Sequence, residues 1–194
     1  SDLSETVNKS RVIFGAQAGR METWASKAAT SLGMSKQAAL ESAAGFGNMF
    51  KQLGFAGDKA ADMSEQVIQM ATDMGSFNNL PTADVADMIS AAFRGEYDSL
   101  QRLVPTINAA AVEQKAMEMT GKKNAKSLTL QEKAAATMAL ITDGAAVSVG
   151  DFANTAEGAA NKTKTMAAKT EDLKPKLEDL VNPRTPHITS VLFP

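Results

Sequence analysis

The chain reads as all-α, a helical bundle or set of stacked helical hairpins with a non-helical, proline-rich C-terminal tail. Three observations carry that reading. The first is composition: of 194 residues, 44% are apolar and only 5% aromatic. Alanine and methionine lead the apolar set. Alanine gives up no side-chain entropy in a helix, and methionine gives up little while filling irregular gaps. Residues that favour pleated surfaces are scarce before the last few positions. The second is punctuation: Gly33, Gly54, Gly95 and Gly121 each follow a helix-like run, and glycine takes the left-handed C-cap conformation freely. The third is periodicity: Met63, Val67, Met70 and Met74 recur at helical steps as one apolar stripe.

The elements follow in order. Asn8 to about Leu32 reads as one helix, weakened at Gly15 and Gly19 by about 1 kcal/mol each relative to alanine. Gly33 stops it, Ser35 caps the next helix, and Gly54 ends that one near Leu53. Asp58 opens a third helix, which carries the methionine stripe. Leu32-Gly33-Met34 and Leu53-Gly54-Phe55 look alike, as expected for a repeated hairpin. The stretch 75–81 is the clearest loop, followed by Thr82 as N-cap of a helix presenting Val85, Met88, Ile89, Ala92 and Phe93. A short helix is expected from Glu96 to Val104, closed by Pro105.

Asn108 to Thr120 reads as helix, stopped by Gly121. Thr129 and Glu132 have capping-box spacing before an alanine-rich helix to Thr142. The segment 145–149 fits helix or extended chain. A last helix is expected from Asp151 to Lys174, interrupted by Pro175, with one more turn allowed from Lys176 to Val181. The punctuation thus gives about seven to nine helices. Residues 1–181 form the helical domain, with a subdivision expected near 105–128, and 182–194 form an extended tail.

Several function classes find little footing. The net charge of −2 offers no basic excess for a polyanion. The absence of cysteine excludes disulfides, thiolate chemistry and cysteine-bound zinc. No stretch reaches the roughly 18 uninterrupted apolar residues of a membrane-spanning helix, and the nearest, 134–149, contains Asp143 and Gly144. The start of the sequence lacks the basic-then-apolar pattern of a signal peptide. His187, the one histidine, sits in the proline-rich tail without partners for a metal site or a nucleophile–base pair. Glu171-Asp172 and Glu178-Asp179 are adjacent carboxylates, which point different ways on a helix and read as solvated. The glycines around Phe46 and Phe55 lack the lysine and hydroxyl of a phosphate-binding loop.

Two lysine clusters remain, one at Lys115, Lys122, Lys123, Lys126 and Lys133, the other at Lys162, Lys164, Lys169, Lys174 and Lys176. Either can touch phosphates, but no aromatic residues interleave for base stacking, so a solvated face is the plainer reading. The methionine stripe and Trp24 read as core and packing anchor. No catalytic residue, cofactor site or metal site is expected, and the chain is read as a non-enzyme.

Specific stretches carry a family resemblance. Asp73-Met74-Gly75-Ser76-Phe77-Asn78-Asn79, with the run from Ala91 through Arg94-Gly95-Glu96 to Leu100, resembles the core region of phage tail tape measure proteins. Leu128-Thr129-Leu130-Gln131-Glu132-Lys133-Ala134 is similar to that family's Glu-Lys-Ala helix start. Gly150-Asp151-Phe152-Ala153-Asn154-Thr155, with Ala160-Asn161-Lys162, is similar to its Gly-Asp-Phe step and alanine-asparagine pair. The leucine-glycine hairpins at Leu32 and Leu53 fit as well, so the resemblance runs from about 32 to 173. It marks Ser76, Phe77, Asn78, Arg94, Gly95, Glu96, Glu132, Lys133, Gly150, Asp151 and Phe152 as family-motif positions, none of them catalytic.

The resemblance implies a virion structural protein of a phage or prophage. Such proteins act in tail assembly and tail-length determination and leave the tail at DNA ejection. Implied partners are the tail tube protein, tail assembly chaperones and tail-tip proteins, with self-association allowed. Implied locations are the tail lumen, or the host cytoplasm during assembly. Family members run to many hundreds of residues, so the chain is expected to be one segment, with 175–194 a fused or divergent ending. The alternatives are a prophage-carried helical interaction module or effector fragment, and a DNA-contacting protein of the tail lumen.

Overall fold

The computed structural model describes residues 2–181, with side chains as far as Lys176. The expected tail 182–194, with His187, lies outside the described residues. Among the described residues every regular element is a helix, in agreement with the composition. In order these are α1 (Leu3–Phe14), α2 (Ala18–Ala25), α3 (Ala28–Ser31), α4 (Lys36–Gln52), α5 (Gly57–Phe77), α6 (Thr82–Phe93), α7 (Ala109–Thr120), α8 (Leu130–Ala145), α9 (Asp151–Asn154) and α10 (Ala159–Val181).

The punctuation explains most of the boundaries. Gly33, at φ +62, ends α3 while the Met34 N–H reaches back to the Ala28 carbonyl, the hydrogen bond of a Schellman stop. Gly54 repeats the device, with the Phe55 N–H on the Phe50 carbonyl. Ser35 Oγ accepts from the Ala38 N–H, and Asn108 Oδ1 accepts from Ala111. Thr129 and Glu132 form the full capping box at the start of α8.

Five expectations need correction. The single helix from Asn8 to Leu32 is broken into α1, α2 and α3: Gly15, at φ +52, opens a 3-10 turn between α1 and α2, and a turn at Ser26 and Lys27 separates α2 from α3. The loop foreseen at 75–81 is mostly helix: α5 runs on to Phe77, and only the residues around Asn78 and Asn79 turn. Thr82 is the first residue of α6, not its N-cap, which is Pro81. The stretch from Glu96 to Val104 is a series of hydrogen-bonded turns, not a helix, pinned by buried Leu100 and Val104. Between Asp151 and Val181 the chain forms two helices, and α10 continues through Pro175, whose missing N–H removes one helical bond without ending the helix.

α5 is the hub. It packs against α1, α4, α6, α8 and α9, while α7 and α8 form a neighbouring hairpin. A helix apolar on most sides is buried on most sides, and 70–75 are all buried. Its buried hydroxyls, Ser64 and Thr72, are satisfied by the carbonyls one turn back. At the centre Phe50 meets Phe93 edge to face, ring centroids 4.9 Å apart, which locks α4 to α6. One apolar core extends from Phe14 to Ala145, with Trp24 packed on its margin. Phe152 and Ala168 are also buried but stand outside that core, in an arm made of α9 and α10. α10 lies on α3 and α4.

Candidate functional site

Asp73 is the least expected residue in the bundle. It sits between Met70 and Met74 on α5 and is only 4% exposed. A carboxylate removed from water requires partners, and three donors supply them. The Gly150 N–H reaches Oδ2 at 3.0 Å, the Phe152 N–H reaches Oδ1 at 3.3 Å, and Gln69 Nε2 reaches Oδ2 at 3.2 Å. The first turn of a helix leaves N–H groups unpaired. In α9 the residue at the N-cap is Gly150, held at φ +77, which has no side chain to accept them. Asp73 therefore caps α9 from another helix, across 77 and 79 residues of sequence.

The ring of Phe152 follows directly from that anchoring. It is 1% exposed and rests on Gly33, where a Cβ would lie 2.9 Å from the ring Cζ. Gly33 is thus required twice, for its positive φ and for the room it leaves the ring.

A polar rim surrounds this contact. Asn161, buried on α10, donates from Nδ2 to Ser76 Oγ at 2.9 Å and to Thr155 Oγ1 at 2.8 Å. Thr155 Oγ1 donates to the Asp151 carbonyl at 2.6 Å. Further along α10, Asp172 Oδ1 accepts from the Lys36 N–H at 2.7 Å, a second cap on α4 beside that of Ser35. Asp172 is therefore a helix cap, whereas the sequence reading had it solvated. Together these bonds form a clasp that holds α9 and α10 to the bundle. Both Asp73 oxygens and the Asn161 amide are engaged in hydrogen bonds, an arrangement suited to holding chain segments together.

Of the motif positions, the clasp gathers Ser76, Gly150, Asp151 and Phe152. Phe77 and Asn78 are beside it: Asn78 Nδ2 closes α5 on the Met74 carbonyl at 2.8 Å, and Phe77 is 55% exposed. The others do different work. Gly95, at φ +90, turns the chain after α6, while Arg94 pairs with Glu96 at 3.4 Å in an exposed setting worth little. Glu132 Oε2 accepts from the Thr129 N–H and from Lys122 Nζ, and the Lys122 hydrogen bond, then the Thr129 backbone bond, hold its carboxyl below the ordinary value of 4.5. Lys133 pairs with Glu113 at 2.8 Å.

Sequence reading marked neither Asp73, Thr155 and Asn161 nor Asp172 as site residues. A lone carboxylate inside a methionine stripe was the available signal for Asp73. Among the described residues no three side chains of histidine, cysteine, aspartate or glutamate gather as metal ligands, and no helix is long and apolar enough to cross a membrane. In comparisons with family models, curated proteins and solved structures, nothing matches this chain.

Proposed function

We propose that this chain is a structural segment of a phage tail tape measure protein, acting in tail assembly and length determination through protein–protein contacts. The observation that supports the reading is the clasp. Asp73 and Ser76 belong to one stretch resembling the family, Gly150 to Thr155 and Asn161 to another, and they meet in one hydrogen-bonded unit.

The DNA-contacting alternative draws less support from the lysines. In the first cluster Lys115, Lys122 and Lys133 each hold a carboxylate, on Asp143, Glu132 and Glu113. A gel shift separates the two readings, because phosphate binding weakens by decades in affinity over a modest rise in salt.

The direct test is mass spectrometry of purified phage particles, intact and after DNA ejection. The reading expects peptides of this chain in intact tails, cross-linked to the tube protein and depleted after ejection. Their absence from tails would overturn it.

A further inference from the structure

We infer that the outward face of α10 is a docking seam for a partner helix that carries acidic residues beside its own apolar stripe. The inference does not depend on the proposed function.

α10 has two faces. One, through Asn161, Ala168 and Asp172, is fixed to the bundle. The other carries Met166 at 64% exposure and Leu173 at 50%, seven residues apart. Thr170 lies between them in the same register, and Thr163 precedes Met166. Thr163, Met166, Thr170 and Leu173 thus step by three, four and three, the spacing of a two-helix seam. α10 has 23 residues, about 34 Å of helix, which accommodates roughly three such repeats.

The flanks decide the occupant. Lys162, which pairs with Glu157 at 3.3 Å, recurs with Lys169 and Lys176 every seven residues along one side of the seam, and Lys174 stands on the other. In a parallel pair of identical helices Lys169 of one copy would face Lys174 of the second, and an antiparallel pair would bring each lysine row against itself. Like charges at these flanking positions oppose pairing, and opposite charges direct it. A second copy is therefore disfavoured and a helix flanked by Glu or Asp is favoured. An anionic membrane surface is the poorer fit, because membrane-lying helices carry a wide apolar face with large side chains. Here the stripe is narrow, includes threonines and has Glu171 exposed nearby.

The test uses the full 194-residue chain and two synthetic heptad peptides with leucine seams, one flanked by Glu and the other by Lys. Fluorescence anisotropy should show the Glu-flanked peptide binding at least roughly tenfold tighter, with the gap narrowing as salt rises. Leu173→Asp should abolish that binding, and Lys169→Glu with Lys174→Glu should transfer the preference to the Lys-flanked peptide. Leu173 is half exposed, so circular dichroism should show the variants folded. Equal affinity for the two peptides would overturn the inference. So would self-association lost in Leu173→Asp, or binding to phosphatidylserine vesicles without binding to either peptide.

Discussion

Asp73 carries out its role with two oxygens and no exposed surface to speak of, accepting main-chain hydrogen bonds from Gly150 and Phe152. Asp73→Ala leaves those N–H groups buried and unpaired, and we expect a loss of about 2–3 kcal/mol of stability. Asp73→Asn keeps one acceptor oxygen and should lose less. Urea unfolding followed by circular dichroism measures both; an unchanged Asp73→Ala midpoint would contradict the assignment.

Two other carboxylates act with opposite signs in pH. Glu132 is held below 4.5 by its bonds to Lys122 and Thr129. Its contribution is present above pH 4.5 and is lost as pH falls through the lowered folded value. Glu65 is raised above 4.5, first by burial, against an opposing pull from Arg20, and Asp62 adds to the rise. One of its oxygens is buried without a hydrogen bond, 3.6 Å from Arg20 Nη1. The folded state therefore holds that proton more tightly than the unfolded chain, and stability falls as pH rises from 4.5 through the folded value. Glu65→Gln should be more stable than the parent at neutral pH, and Glu132→Gln less stable, with both differences shrinking in acid. Stability curves from pH 3 to 7 check the signs.

At the scale of elements, close approaches set the packing. A Cβ on Gly144 would lie 2.5 Å from Val104 Cγ1 and 3.1 Å from Val104 Cβ, so α8 sits almost against the turns before α7. An alanine inside a helix gains about 1 kcal/mol of propensity over glycine, and less at Gly144, the penultimate residue of α8; we expect Gly144→Ala to lower the melting temperature, because Val104 is buried and cannot move aside. A raised melting temperature would show that the contact yields.

The local elements of this fold were legible from the sequence, because caps and stops act within four residues. The Thr129–Glu132 box, the Ser35 cap and the Gly33, Gly54 and Gly121 stops all stand where spacing placed them. Part of what failed was local, at Gly15, Pro81 and Pro175, and the rest was tertiary. Gly75 reads as a loop residue, yet it is buried inside α5, where a Cβ would lie 2.9 Å from the Leu80 carbonyl oxygen. Leu100 and Val104 have helical spacing, but burying them does not require a helix. The clasp was legible only in part. Both of its sequence stretches were visible through a resemblance, but no local rule states that Asp73 caps a helix 77 residues away.

At the scale of the molecule the protein is a bundle with an attached arm. The bundle core runs unbroken from Phe14 to Ala145, while α9 and α10 are held by Phe152, Ala168 and a few hydrogen bonds. Segments with few buried apolar contacts open at lower free energy than the core. The arm should therefore detach before the bundle unfolds, with Asp73 setting how easily.

Native-state hydrogen exchange on the parent and Asp73→Ala proteins tests that claim most directly. The account predicts that amides of α9 and α10 lose protection in the variant while those at the centre of α4 and α5 keep theirs relative to global unfolding. Arm amides whose protection is unchanged, or that exchange in step with α4 and α5 in both proteins, would contradict it.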